Sequence, residues 1–138
     1  DELWAEPLKA TFERYKDKVT LINKFISDKD GPTEITIESC LRNTAIKTLF
    51  IKMDIEGEEC KVIGSNQNLL SKEIDIRIVC CTYHNRHDAE TLKGMLESSG
   101  YTTEFSDGFV LFIWDENLQP PYFRHGLIRA KRQLPERV

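Results

Sequence analysis

Apolar and polar positions along the chain follow two different periods, which together predict strands separated by short helices. Segments 19–27, 48–55 and 74–83 are rich in apolar and β-branched residues and predict strands. Segment 48–55 shows little alternation, as expected of a strand covered on both faces. Residues 3–6 are predicted to be either a strand end or the entry to a helix that has Pro7 in its first turn.

Three further helices are predicted in the segments between these strands. Residues 36–42 suit a short helix, and residues 57–64 suit a helix of about two turns. The longest helix is predicted to begin at Asp88 as its cap and to stop at Gly100. The apolar residues on its single buried face are Ala89, Leu92, Met95 and Leu96.

The C-terminal part consists of three strand-like runs, 101–106, 109–115 and 122–132, without a helix between them. The pair at 107–108, Asp-Gly, predicts a hairpin turn joining the first two runs. Strands that alternate with helices and then finish in a hairpin predict an α/β fold, with a mostly parallel sheet and an antiparallel C-terminal hairpin. Right-handed crossovers would place the loops that follow the parallel strands on one ligand-binding rim.

Composition narrows the class of protein. A chain of 138 residues predicts a single domain, 1–138, and it contains no apolar run long enough to span a bilayer and no signal-peptide pattern at its start. We therefore expect a soluble, cytoplasmic protein without a membrane partner. The net charge of −4, with both signs interspersed, argues against a nucleic-acid partner, and the basic segment 124–137 is interpreted as a solvated strand flank.

The predicted rim contains six candidate site residues, because ligands of open α/β sheets bind outside the carboxyl ends of the strands. Each also has a structural explanation, since charged residues are mostly at the surface. The residues that follow the strands are Glu6, Ser27, Asp28, Asp54, Glu56 and His84.

The acidic stretch KMDIEGEE, residues 52–59, divides into two parts. Glu56, Glu58 and Glu59 would lie in the first turn of a helix, where negative charge interacts favourably with free backbone N–H groups. This explanation is sufficient for Glu58 and Glu59. Asp54 ends an apolar strand, so its carboxylate must stay at the rim or find a partner. Asp54, together with Glu56, is the stronger candidate.

His84 and four cysteines are the remaining candidates for chemistry. His84 could be a general base, or a histidine hydrogen-bonded in a loop. The His84-x-x-His87 spacing lacks a fitting third ligand, so no metal site is predicted. The cysteines form no C-x-x-C pair, and adjacent Cys80 and Cys81 are expected to be reduced and to pack in the core. No glycine-rich phosphate loop and no G-x-S-x-G elbow is present.

Several of these stretches, in this order, resemble the FkbM-type methyltransferase family. The central FIKMDIEGEECKVIG is similar to a family signature in which a strand leads into Lys-x-Asp-x-Glu-Gly-x-Glu. Residues 4–31, 81–114 and 122–132 are similar to other parts of such enzymes, so the resemblance covers nearly the whole chain. It implies a Rossmann-like fold that uses S-adenosylmethionine to methylate a hydroxyl of a small-molecule acceptor, usually a sugar or natural product.

The resemblance also implies roles for the rim residues. Glu6 matches the acidic residue that ends the second strand and accepts hydrogen bonds from the cofactor's ribose. Ser27 and Asp28 follow the third strand near the adenine. Asp54 matches a fourth-strand residue beside the methionine moiety and the acceptor, and Glu56 belongs to the same signature. Asp54 or His84 would accept the hydroxyl proton.

The family's first strand and its glycine-rich loop have no counterpart in the chain, which begins at Asp1. The resemblance therefore implies a partial methyltransferase domain that lacks the central strand of the order 3-2-1-4-5-7-6. We expect strand 2 or 3 to pair directly with strand 4, or a homodimer to form through the exposed edges. The alternative functions are a non-catalytic remnant or interaction module and a metal-dependent hydrolase that uses Asp54, Glu56 and His84.

Overall fold

A computed structural model describes residues 2–42, 44–111 and 117–132 and shows an α/β fold. The helices are α1 (Glu2–Phe12), α2 (Ile37–Cys40), α3 (Glu59–Ser65), α4 (Gln67–Leu70) and α5 (Asp88–Ser98), and a short 3₁₀ turn (Glu13–Tyr15) follows α1. The strands are β1 (Phe25–Ile26), β2 (Glu34–Ile35), β3 (Thr48–Met53), β4 (Asp75–Cys81), β5 (Thr102–Phe105), β6 (Phe109–Leu111), β7 (Phe123–His125) and β8 (Leu127–Lys131).

The main sheet has four strands in the order β3-β4-β8-β5. Strands β3 and β4 are parallel, whereas β8 is antiparallel to both β4 and β5. The sheet is therefore mixed, and its parallel part is smaller than the sequence predicted. Two short two-stranded sheets are separate from the main sheet. Strands β1 and β2 pair in parallel, and β6 and β7 pair antiparallel.

One face of the main sheet is buried against helices. Side chains from α3, α4 and α5 join the strands in a single core, which includes Ile51, Val62, Ile63, Leu70, Ile76, Ile78, Leu92, Leu96 and Ile128. Burial alternates along β3, where Phe50 is 64% exposed between more buried neighbours. The prediction that this strand is covered on both faces is thus wrong for the described part of the chain, because the helices in it pack on one face only.

The predicted strands β3 and β4 and the predicted helices α2, α3 and α5 are confirmed, with Gly100 in a left-handed conformation after α5. Asp88 begins α5, but its Oδ2 accepts the backbone N–H of Asn85 at 2.7 Å in the loop before the helix. It thus stabilises the preceding loop, and His87 occupies the position directly before the helix.

Three strand predictions need correction. The run predicted at 122–132 forms two strands, β7 and β8, and the part of run 109–115 after β6 lies outside the described residues. Of segment 19–27, Phe25–Ile26 alone forms a strand, which pairs with β2. The turn at 107–108 joins β5 to β6, but these strands pair with β8 and β7 and not with each other. Ser106 explains this pairing, because its backbone N–H donates to Leu127 O and its Oγ accepts the Leu127 N–H. These bonds continue the ladder from β5-β8 toward β6-β7.

The N-terminal segment is a helix and not a strand end. Pro7 lies inside α1 and not in its first turn, and Glu6 forms an exposed 2.7 Å ion pair with Lys9. A helix satisfies its own backbone hydrogen bonds, whereas a strand needs a neighbour. Strand β1, the nearest strand that follows, is paired with β2.

Strand β3 pairs with β4 alone among the described residues, so the predicted direct pairing with strand 4 of the implied sheet does not occur: the segment that ends at Glu6 is helical, and β1, in segment 19–27, pairs with β2. A free edge presents unpaired N–H and C=O groups to a partner chain. Homodimerisation through this edge therefore stays a prediction. In the described ranges, every helix is too short or too polar to cross a lipid bilayer.

Candidate active site

A cavity of about 460 Å³ lies beyond the carboxyl ends of β1 and β3. Its volume falls within the roughly 300–1,000 Å³ typical of small-molecule sites. Three candidates from the sequence, Ser27, Asp54 and Glu56, line it together. The other lining residues are Lys24, Phe25, Ile26, Glu34, Ile55, Glu58 and Lys61. The rim predicted from the sequence is thus partly assembled in the fold.

His84 lies next to this cavity, among three carboxylates. Its Nε2 is 3.4 Å from Oδ1 of Asp54 and 3.9 Å from Oε2 of Glu56, and its Nδ1 is 3.0 Å from Oε1 of Glu59. The His84 side chain is 12% exposed, and its Nδ1 is close to Glu59 without the alignment of a hydrogen bond. The two ring nitrogens therefore face different acids.

Glu59 is the residue that sequence reasoning missed. Its side chain is fully buried, and its two oxygens accept the backbone N–H groups of Ile55 and Gly57, each at 2.9 Å. A helix terminus alone does not account for this position. Gly57 was the available signal, because a tight turn leaves free amides that need an acceptor. Glu58, by contrast, is exposed and forms a 3.1 Å ion pair with Lys61.

The loop that carries Asp54 and Glu56 has a strained turn at its centre. Glu56 has φ +57° and Gly57 has φ +97°. A β-carbon on Gly57 would lie 2.7 Å from Nδ2 of Asn85, which donates to Gly57 O at 3.0 Å. Glycine is thus required at this position for two separate reasons, the left-handed backbone and the close approach of Asn85.

Asp54 is held as an anion by its neighbours. Tyr83 donates its hydroxyl to Oδ1 at 3.3 Å, and Nζ of Lys52 is 3.4 Å from Oδ2. Partial desolvation alone would raise the pKa of Asp54, but a hydrogen bond from Cys81, the contact with Lys52 and the charge of His84 together lower it. Asp54 is therefore a weak base, and a good partner for a cation.

Ser27 lines the cavity at its β1 side, whereas the next residue, Asp28, is not among the lining residues. Ser27 is buried, and its hydroxyl lies 2.9 Å from Oε1 of Glu34 and 3.1 Å from Oδ1 of Asp28. Asp28 forms a 3.4 Å ion pair with Lys61. Since Lys61 belongs to α3, this pair connects the β1-β2 unit to the helix that follows β3.

Glu6 and His87 lie away from this centre, whereas Cys81 forms a hydrogen bond with Asp54. Glu6 does not line the cavity, and its side chain is 81% exposed on α1. His87 is exposed before α5, so the two histidines of the predicted pair have separate environments. Cys80 and Cys81 are buried, and burial raises the pKa of both thiols, as expected of core cysteines.

Two arginines of the basic C-terminal segment have structural partners. Nη1 of Arg124 donates to the carbonyl oxygens of Tyr83 and His84 at 2.8 and 3.1 Å and so fixes the loop after β4. Arg132 donates to the carbonyls of Lys72 and Ser99. Their guanidinium groups thus support loops, which weakens their use as a sign of an anionic acceptor.

A larger cavity of about 620 Å³ lies beside α2 and α4, but it lacks the features of a reactive site. Its charged groups pair with each other, Arg42 with Asp30 at 3.7 Å and Lys72 with Glu38 at 3.2 Å. The smaller cavity at the strand ends contains the strained loop and adjoins His84. We therefore take the smaller cavity as the candidate site.

Comparison of the chain with protein-family models, with curated proteins and with solved structures gave no match. Functional assignment consequently depends on the sequence motifs and on the geometry of the rim.

Proposed function

We propose that this chain is part of an S-adenosylmethionine-dependent methyltransferase of the FkbM type, acting on a hydroxyl of a small molecule. The observation that carries the proposal is the cavity that unites Ser27, Asp54 and Glu56, the residues that the resemblance assigns to the cofactor. The strand order β3-β4-β8-β5 also agrees with the 4-5-7-6 half of the sheet that the resemblance implies.

The charge of the cavity suits this cofactor. Four carboxylates, from Glu34, Asp54, Glu56 and Glu58, line it together with the ammonium groups of Lys24 and Lys61. An excess of negative groups favours a ligand that carries a sulfonium and an ammonium group. Carboxylate oxygens also accept hydrogen bonds from ribose hydroxyls.

The surface of the cavity offers an apolar contact as well. Phe25 lines it and is 71% exposed, so its ring is available to cover an adenine base. Ser27 and Asp28 lie directly beyond this ring at the end of β1. These residues support the adenine end of the proposed site, while Asp54 and Glu56 support its methionine end.

The cofactor supplies an activated methyl group, and the chain must align the acceptor oxygen and receive its proton. His84 suits the second task better than Asp54, because Asp54 has a lowered pKa. Nε2 of His84 faces Asp54, which would stabilise the imidazolium formed when the proton arrives.

Calorimetric titration with S-adenosylmethionine and S-adenosylhomocysteine tests the proposal. We expect micromolar binding of both ligands, weakened by about tenfold or more in Asp54→Asn, because a hydrogen bond to a charged group contributes about 1.5–3 kcal/mol. Glu38→Gln is the matched control, since Glu38 is an exposed carboxylate that lines the other cavity.

Absence of binding by the folded protein would contradict the proposal and favour the non-catalytic remnant. Equal weakening by Asp54→Asn and Glu38→Gln would also contradict it, because the effect would then not belong to the cavity. Circular dichroism of each variant establishes that the protein is folded.

A further inference from the structure

We propose that Asp54, Glu56 and His84 bind a divalent first-row transition-metal cation, with Mn²⁺ as its probe. This proposal does not depend on methyl transfer. It rests on the geometry around one imidazole, on the charge of the cluster and on the position of Glu59.

Two carboxylates lie near the Nε2 atom of His84. Oδ1 of Asp54 and Oε2 of Glu56 lie 3.4 and 3.9 Å from that atom, whereas the ligand atoms that already lie within 4.8 Å of one another belong to Asp54, Glu59 and His84. Two atoms bound to one cation at about 2.0–2.2 Å each lie roughly 3 Å apart at a right angle, so Glu56 must move to complete the site. Glu56 provides that movement, because its side chain is 92% exposed.

The charge of the cluster favours a cation. Asp54, Glu56 and Glu59 place three carboxylates around one imidazole. Lys52 approaches Asp54 from the side of Oδ2, at 3.4 Å, and leaves Oδ1 directed to His84. A cation bound to Nε2 would bring opposite charge to the acids where they are closest together.

Glu59 occupies the place of an outer-shell partner. Metal-binding histidines usually direct their second ring nitrogen to a carboxylate or carbonyl, which fixes the tautomer and the ring orientation. The fully buried carboxylate of Glu59 lies 3.0 Å from Nδ1 of His84, and that nitrogen is itself buried and makes no aligned hydrogen bond. Nδ1 is thus available to carry the proton, and the lone pair of Nε2 then faces Asp54 and Glu56.

The donor set selects the class of metal. Imidazole nitrogen suits Zn²⁺, Fe²⁺, Ni²⁺ and Cu²⁺, and the carboxylates of Asp54 and Glu56 suit Mn²⁺, whereas Mg²⁺ and Ca²⁺ prefer oxygen ligands alone. Asp54 and Glu56 both line the cavity, so a cation between them would keep an open position toward a ligand in it. A lone pair that holds a cation cannot accept a proton, and the cation would therefore block the role of His84 as a base.

Titration of the protein with Mn²⁺ alone tests this inference. Electron paramagnetic resonance measures the free ion, and calorimetry measures the binding. We expect one bound ion per chain in the wild-type protein. His84→Gln, Asp54→Asn and Glu56→Gln should each weaken binding by about tenfold or more, and Glu59→Gln by about 10–100-fold. Glu38→Gln should bind as the wild type does. Mn²⁺ avoids the affinity of Zn²⁺ for the four cysteines.

Absence of Mn²⁺ binding by the wild-type protein would overturn the proposal, and so would binding that survives both Asp54→Asn and Glu56→Gln. These two substitutions affect groups with solvent access, so they keep the test valid if His84→Gln fails to fold. Binding of S-adenosylhomocysteine without binding of Mn²⁺ would overturn this inference alone and leave the proposed function intact.

Discussion

The carboxylate of Glu59 lies 3.0 Å from Nδ1 of His84 and is completely buried. The same carboxylate accepts two backbone N–H groups of the loop after β3. One side chain thus connects the loop that carries Asp54 and Glu56 to the histidine that follows β4. The geometry of the proposed site depends on this connection, because its parts lie on two loops, Asp54 and Glu56 after β3 and His84 after β4.

Glu59→Ala should destabilise the protein by about 2–5 kcal/mol, because it leaves the partly buried N–H groups of Ile55 and Gly57 without their acceptor. Glu58→Ala is the matched control and should change the free energy of unfolding little, since its ion pair with Lys61 is exposed. Urea unfolding followed by circular dichroism measures both. Equal effects of the two substitutions would contradict the role of Glu59.

Gly57→Ala should destabilise the protein by about 1–3 kcal/mol, because alanine at φ +97° is strained and its methyl group would collide with Asn85. Gly94→Ala makes the same chemical change in the middle of α5, where nothing lies within 4 Å of the new carbon. That substitution should stabilise the protein by about 0.5–1 kcal/mol. If the loop has the described conformation, thermal unfolding should show a lower Tm for Gly57→Ala and a higher Tm for Gly94→Ala.

The lowered pKa of Asp54 predicts a loss of stability in acid. The carboxyl group of Asp54 binds its proton less tightly in the folded protein than in the unfolded chain, where its pKa is near 3.8. The contribution of Asp54 is therefore complete above that pH and is lost as the pH falls through the lower folded value. The stability difference between wild type and Asp54→Asn should shrink as the pH falls below about 5, as measured by urea unfolding. A constant difference would contradict the lowered pKa.

Glu6→Ala should leave the affinity for S-adenosylhomocysteine unchanged, because Glu6 lies on α1 in an exposed ion pair with Lys9. The resemblance assigns this residue to the ribose, so the substitution separates the two expectations. Calorimetry measures the affinity, and Lys9→Ala controls for loss of the ion pair. Weaker binding by Glu6→Ala alone would show that the N-terminal segment takes another position when the ligand binds.

The free edge of β3 predicts self-association. Within the part of the chain that the structure describes, no strand pairs with the outer edge of β3 (Thr48–Met53), and backbone groups left unpaired there favour addition of a strand from a second copy. Sedimentation velocity over a range of protein concentrations should show a monomer–dimer equilibrium. A monomer at every concentration would contradict an interface at this edge.

The sequence by itself determined the local elements of this protein. The apolar runs of β3 and β4, the helical period of α5 and the stop at Gly100 depend on side chains close together in the chain, so each could be predicted without a partner. Asp54, Glu56 and Ser27 could also be placed at a rim, since a polar residue after an apolar strand marks the strand end.

Only the tertiary structure decided how these elements meet. The pairing of β5 with β8 and the exposed face of β3 depend on which neighbour covers each segment. The burial of Glu59 depends likewise on two loops that come together, one after β3 and one after β4. The physical reason is the same in each case. Burial and strand pairing each involve two segments, and the sequence of one segment does not specify which other segment will contact it.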